Sequence, residues 1–566
     1  MLRIPRAAVP EPVDPATVSP SMPYRGVKQL GLFVLCGAWV VLGLVGRAPW
    51  KTEDAITFAA AWEMMQRGDW LVPWLAQEPA LNQSPLVPWM AAAGLTLLRP
   101  LLQAPDAARV VAVGVLLAIV LWFTGWASRE LNGRAMRWMP VLIVVGSVGL
   151  FDRSHQLSQE LGLTAFVATS IYGVGLALRR PLAGGVVLGV SAGCAFLAAG
   201  WTGALWTLVP ALLLPACGEP WRSRSHAATL AVAFAIALPM MAAWPLALAS
   251  RSPELFAAWR DAQPLIDALP GSARLEDIEP TWLARNLAWA AWPAFPLLLW
   301  TLWIRGRGFN GGMRQPGLVV ASVYAAWQLA SIALSADPRI TQLMPVLVPL
   351  ALVASLEIDS MRREHSAALD WFGILTFGLT ALVLWAFWID AYVNGMSPRV
   401  AIVLRDSETG YGTSFHLRAF LGAVFLTLLW IALVRPARRS NRRALLNWTA
   451  GMTLVWGLVA TIWMPYLDAR RTYESVGESL RLNRTGDGCV ARRNVGDAQR
   501  ALFYYFGGLV TLPETDPRAS DCRMLLVQYG RLPDGPPEVA GYAVQWDGSR
   551  RGESSERFVL YRRAGT

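Results

Sequence analysis

Residues 52–86 read TEDAITFAAAWEMMQRGDWLVPWLAQEPALNQSPL, a polar insertion that follows the first apolar run of the chain directly. Glu53 and Asp54 open a helical pattern in which Ile56, Ala59, Ala60 and Met64 share one face. Acids in a first turn favour the positive end of the helix dipole, so a purely local role fits the pair. Their position points further. An acid pair at the edge of a bilayer, followed by Gly68-Asp69-Trp70 and a Pro-punctuated apolar segment, is costly to keep there and marks a functional site.

The bilayer itself is read from composition. Of 566 residues, 54% are hydrophobic and 16% charged, which excludes an ordinary soluble domain and defines an integral membrane protein. The net charge of +11 sits in Arg clusters between apolar runs, as the positive-inside rule requires, and argues against nucleic acid as a partner. Windows long enough to cross lie at 29–46, 107–127, 138–151, 161–178, 182–199, 204–217, 227–249, 286–304, 317–335, 340–356, 368–388, 416–434 and 445–466. The expected fold class is therefore mainly α, a polytopic membrane protein with about thirteen transmembrane helices.

Arginines set the orientation. Arg3, Arg6, Arg25 and Lys28 precede the first span, and further Arg clusters follow every second one: 129/134/137, 179/180, 222/224, 305/307/314, 362/363 and 435–443. That alternation makes residues 1–28 a cytoplasmic tail leading into an uncleaved anchor, and residues 29–466 the transmembrane domain. The insertion 48–106, the connection 152–160, the loop 250–285 and a small α/β domain at 467–566 then share the periplasmic face. The segment 85–102 is apolar, but counting it as a span would invert every later loop, so it is expected as an interfacial helix.

Cysteine and histidine usage is sparse. Cys36, Cys194 and Cys217 lie in or beside apolar runs, whereas Cys489 and Cys522 fall in the polar last hundred residues and are expected to pair if that region faces an oxidising periplasm. No Cys or His spacing resembles a zinc site.

With these features in order, the chain resembles the C-type membrane glycosyltransferases, and within them the lipid A aminoarabinose transferases and bacterial protein mannosyltransferases. The resemblance is carried by Glu53-Asp54, Gly68-Asp69-Trp70-Leu71-Val72-Pro73, Glu78-Pro79, Ser84-Pro85-Leu86, Glu160, Trp292-Pro293-Ala294-Phe295-Pro296 and Met344-Pro345-Val346-Leu347-Val348-Pro349. It implies transfer of a sugar from a polyprenyl-phosphate donor to lipid A or another envelope acceptor, at the periplasmic face of a bacterial inner membrane. A degenerate member that binds without transferring is the alternative, and a lipid transporter is disfavoured because the spans hold almost no ionisable residues.

The resemblance also implies roles. A family Asp opens the acid pair where Glu53 stands here, and a second family Asp, five residues after a His-like position, corresponds to Glu160 after His155. Glu53, Asp54 and Glu160 are thus the expected catalytic carboxylates, for deprotonating or orienting an acceptor. The family's Glu-Lys-Pro-Pro reads Asn82-Gln83-Ser84-Pro85, and its Ala-Lys-Gly-Pro reads Ala198-Ala199-Gly200-Trp201, so two phosphate-facing lysines are replaced. Gln83, Arg153, His155, Arg260 and Arg339 are the expected donor-phosphate or substrate contacts, with Arg274 and Arg285 as further arginines of the same loop. No cofactor is certain, and the three acids leave a divalent metal open.

Overall fold

The computed structural model describes residues 24–271, 278–404, 415–434, 440–484, 489–530, 535–553 and 555–564. Most of the expected tail 1–28, Arg274 and the arginines at 435, 438 and 439 lie outside these residues.

Helix α1 (Tyr24–Val41) leads to the insertion, which holds α2 (Glu53–Arg67), a hairpin of β1 (Trp74–Leu75) and β2 (Glu78–Pro79), and α3 (Leu86–Leu98). At thirteen residues, α3 reaches only about 20 Å, too short for a hydrocarbon core of about 30 Å. It lies against α4 (Ala104–Asn132), where a Cβ on Gly94 would collide with the Ala107 carbonyl. The bundle continues through α5 (Met139–Val145), α6 (Gln159–Ala177), α7 (Pro181–Cys217), α8 (Arg224–Arg251) and α9 (Pro253–Ala262). Its second half is α10 (Pro280–Ala290), α11 (Ala294–Gly306), α12 (Pro316–Ala333), α13 (Leu343–Ala354), α14 (Arg363–Asn394), α15 (Pro398–Leu404), α16 (Leu417–Val434) and α17 (Asn441–Leu458).

Among the described residues, nine helices are long and apolar enough to cross a membrane, or up to eleven if two bent pairs each make one span. The bends lie between Val145 and Val148 (62°) and between Ala290 and Ala294 (101°). Two expected spans, 182–199 and 204–217, form the single helical run α7, whose backbone breaks at Ala199 and Gly200. Gly200 has φ of 58°, and a Cβ on Gly203 would collide with the Ala195 carbonyl, so the halves of α7 turn back on each other there. The first apolar segment is a shorter helix, Gln29–Val41. Close helix approach rests on small residues: Gly185 and Gly189 of α7 face Val232 and Ala233 of α8 without room for a side chain.

After α18 (Met464–Arg471), the chain forms α19 (Glu474–Asn483) and a sheet with α20 (Asp497–Gly507). Its strands are β3 (Val490–Arg493), β4 (Thr511–Pro513), β5 (Met524–Tyr529), β6 (Tyr542–Gly548) and β7 (Arg557–Arg563), in the order β4-β3-β5-β7-β6. Strand β3 runs parallel to both neighbours, whereas β7 is antiparallel to β5 and β6. Cys489 and Cys522 form a disulfide between the start of β3 and the approach to β5. For a loop of this length the chain-entropy contribution is about 4 kcal/mol.

This sheet unit does not hang free. Ala55, Ile56 and Ala59 of α2, with Leu75 and Ala80 of the hairpin, belong to the same buried apolar cluster as Tyr473, Leu502, Phe503 and Phe558. The hairpin turn places Ala76 and Gln77 at positive φ (48° and 70°), an unfavourable conformation for side chains other than Gly. The buried Glu63 carboxylate accepts the Gln77 N–H (3.1 Å), and Arg500 donates to the Leu75 carbonyl (3.0 Å), which offsets that cost. The turn thereby presents Glu78 to Arg492 (2.7 and 2.8 Å) and Arg500 (2.8 Å), a three-way ionic clasp between insertion and sheet.

Candidate active site

The acid pair at the start of α2 divides. Asp54 is fully buried, and its Oδ2 accepts from Arg47 (2.7 Å) and the Trp50 N–H (3.0 Å), while Oδ1 accepts the Leu157 N–H (2.8 Å). Arg109 stands 3.6 Å from Oδ2 and also pairs with Asp106 at 2.7 Å. Burial pushes the Asp54 carboxyl up, but Arg47, Arg109 and the two amides outweigh it and hold it below the usual carboxylate range. Arg47 donates onward to the His155 carbonyl (2.8 Å), and Arg109 to the Leu44 and Ala48 carbonyls (3.2 and 3.3 Å). Asp54 thus ties together the end of the first apolar segment, α4 and the 152–160 connection.

Glu53 points the other way. Its Oε1 accepts from Arg339 Nη1 at 3.3 Å, in an ion pair whose side chains are 21% and 53% exposed. Burial, then the neighbouring Glu160 carboxylate, raise the Glu53 pKa from 4.5 to about 7, against the lowering influence of Arg339. Glu160 lies in the first turn of α6, whose start is capped by Ser158 accepting the Leu161 N–H. Its Oε1 accepts from the Thr341 hydroxyl (3.1 Å), and its buried Oε2 has no hydrogen-bond partner among the described residues. Gln83 is buried nearby in the chain path and accepts from Gln159 (2.7 Å), one residue before Glu160. Glu53, Glu160, Arg339 and Thr341 therefore converge from the insertion, the 152–160 connection and the turn before α13.

Other expected contacts fall elsewhere. His155 is fully buried, with Nε2 against the Trp39 carbonyl (2.8 Å) and Nδ1 against Ser154 Oγ (3.2 Å), so both ring nitrogens already have partners inside the bundle. Asp54, whose oxygens are taken by two arginines and two amides, is a counter-ion and not a member of an open acid cluster. Arg260 pairs with its neighbour Asp261 in an exposed contact, and Arg285 with Glu279. Arg153 is half-buried, and its guanidinium has no ion-pair partner among the described residues. Where the resemblance implies a lysine after the fifth span, the break at Ala199-Gly200 lies instead against the Gln263 amide and Ser84.

Arg47, Arg109 and Thr341 were not singled out by sequence reading. The available signal for Arg109 was a charge carried into an apolar run, one turn after Asp106. Nothing local marks Thr341. Among the described residues, no group of three or more His, Cys, Asp or Glu is arranged to hold a metal ion.

The mainly helical bundle with its small sheet domain has a fold shared with solved structures of two transferases. The structure superposes on ArnT of Cupriavidus metallidurans bound to undecaprenyl phosphate with a TM-score of 0.65 and 13% identity, over 94% of this chain and 98% of that one. An oligosaccharyltransferase of Archaeoglobus fulgidus in its apo form matches with a TM-score of 0.53 and 11% identity, over 89% of this chain and 70% of the other. In sequence, the chain is 25% identical over 444 residues to the undecaprenyl phosphate-alpha-4-amino-4-deoxy-L-arabinose arabinosyl transferase of Pseudomonas aeruginosa strain UCBPP-PA14, covering 76% of this chain and 74% of that protein. A second arabinosyl transferase of that description, from Pseudomonas fluorescens Pf0-1, is 25% identical over 375 residues, which are 62% of this chain and 64% of the relative's length. No family model matches the chain.

Proposed function

We propose that this protein is an inner-membrane glycosyltransferase that takes a sugar from a polyprenyl-phosphate donor and passes it to lipid A or another envelope acceptor on the periplasmic side. The observation that carries the reading is the Glu53–Glu160–Arg339 cluster, a raised carboxylate beside an orphaned carboxylate oxygen and an accessible guanidinium. The similarity to arabinosyl transferases supplies the substrate class.

In this reading Glu53 takes the proton from the acceptor oxygen as that oxygen attacks the anomeric carbon. The bond from that carbon to the phosphate oxygen breaks, and the polyprenyl phosphate departs with the electron pair. Arg339 receives the phosphate charge in place of the lost lysines, since a guanidinium binds phosphate bidentately. Drawing Arg339 away from Glu53 removes the charge that lowers its pKa, so donor binding strengthens the base. Glu160, held by Thr341, orients the acceptor through its free oxygen.

Topology supports the same face. Counting each bent pair and α1 as one crossing and the broken α7 as two gives thirteen crossings, and residues 467–566 form a periplasmic domain over the site. The test is transfer by purified protein supplied with an undecaprenyl-phosphate sugar and extracted lipid A, followed by mass spectrometry. Mass gain on lipid A that vanishes in Glu53→Gln supports the proposal. Intact donor binding without transfer by wild type, across the donors supplied, assigns the protein to the degenerate alternative.

A further inference from the structure

The Arg-rich end of the bundle carries a second feature, remote in sequence from the acid cluster. Between α1, α4 and the start of α5 lies an apolar groove of about 240 Å³, whose walls include Phe33, Gly37, Val41, Trp122 and Arg137. Phe33, Val41 and Trp122 are 45%, 64% and 49% exposed, so the groove opens toward the lipid. None of its lining residues is acidic.

Arg137 is held here without a counter-ion. Its guanidinium lies over the rings of Trp122 (5.5 Å), Trp126 (4.9 Å) and Trp138 (5.4 Å), and it has no carboxylate or hydrogen-bond partner among the described residues. Arg129 packs on the other side over Trp126 at 4.4 Å, while the nearby Glu130 carboxylate is paired with Arg179 at 3.6 Å. Cation–π contacts engage the face of a guanidinium and leave its in-plane N–H donors unused. Two cations with unused donors beside an apolar trough, at the level of tryptophans that mark a membrane interface, are complementary to a phosphate group attached to acyl chains.

We propose that this groove is a binding site for one anionic phospholipid of the inner leaflet, with Arg137 on the phosphate and an acyl chain lying along Gly37 and Val41. The inference rests on the membrane placement of the bundle and not on the transferase reading. Site occupancy would brace α1, which packs against α4 and α17.

Native mass spectrometry of the full-length protein, titrated with phosphatidylglycerol or with phosphatidylcholine of the same chains, tests it. Wild type is expected to take up a first phosphatidylglycerol at least about tenfold more tightly than phosphatidylcholine, which carries the same phosphodiester but a choline cation that Arg137 and Arg129 repel. Arg137→Gln removes that preference. Gly37→Leu tests the trough separately, because a Cβ at Gly37 meets nothing within 4 Å and the larger side chain occupies the groove without a clash. It is expected to weaken the first binding event to a similar extent. Equal affinity for the two lipids in wild type overturns the proposal, as does a preference that survives Arg137→Gln or a first binding event that Gly37→Leu leaves unweakened. Loss in Arg137→Gln alone reduces the site to an exposed arginine without a groove, and loss in Gly37→Leu alone removes the selection for charge. Should Arg137→Gln fail to fold, Gly37→Leu decides.

Discussion

Glu53 and Asp54 are adjacent in the chain and chemically almost identical, yet one is partly exposed and the other lies in a sealed ionic centre. Asp54 is surrounded by Arg47, Arg109 and two backbone amides that keep it ionised, and nothing reaches it from outside. Glu53 has one partly exposed guanidinium and a like-charged neighbour, and its proton is held up to about pH 7. The difference is one of direction: successive side chains on a helix diverge by about 100°, so α2 turns one carboxylate toward the bundle and the next toward the opening. On the proposed reading a structural acid and a chemical acid share a dipeptide, and their partners tell them apart.

The sharpest way to break this comparison is Asp54→Asn. It leaves Arg47 and Arg109 buried without their shared counter-ion and is expected to destabilise the protein by about 3–5 kcal/mol, with loss of folded yield in detergent. Normal thermal stability would remove Asp54 from the structural side. Glu53→Gln, by contrast, should leave stability within about 0.5 kcal/mol at pH 4.5, where the native carboxyl is still protonated, while turnover at pH 7 or above falls about 100-fold or more. Full turnover in that variant would erase the chemical side.

The pH dependence sharpens the contrast further. A base must be ionised, so turnover should rise with pH and level off above about 7. Removing the lowering charge in Arg339→Gln moves that inflection upward, and removing the raising charge in Glu160→Gln moves it downward. A profile unmoved by both variants would assign the inflection to another group. In stability the sign is opposite. A carboxyl whose folded pKa lies above its ordinary 4.5 contributes stability that is present below 4.5 and lost as pH rises through about 7. Wild type should therefore lose thermal stability relative to Glu53→Gln across that window, which melting curves at several pH values would reveal.

The smallest expected effect concerns the clasp. Glu78→Gln weakens three contacts to Arg492 and Arg500, but Glu78 is 32% exposed, so the cost is expected at about 1 kcal/mol. Faster hydrogen exchange in α20 with unchanged turnover would confine the clasp to docking. A drop in turnover as large as that of Glu53→Gln would instead make the sheet domain part of the chemical centre.

Residues 52–86 announced themselves in the sequence because a polar insertion between apolar runs needs no tertiary information to be seen. The helical membrane class followed from apolar windows and Arg spacing for the same reason: bilayer insertion is governed by length, hydropathy and charge, which are additive along the chain. Glu53, Glu160 and Arg339 were also reachable, through their positions at the ends of spans. What the sequence could not distinguish was Glu53 from Asp54, since that choice depends on Arg47 and Arg109 arriving from elements separated by some sixty residues. Nor could it separate His155, sealed against Trp39 and Ser154, from a partly exposed residue such as Arg339. Spans bent or broken at 146–147, 199–200 and 291–293 were hidden as well, because hydropathy records how apolar a segment is and not where its backbone turns. Burial and ion pairing are properties of three-dimensional neighbours, and they come into being only when the helices pack.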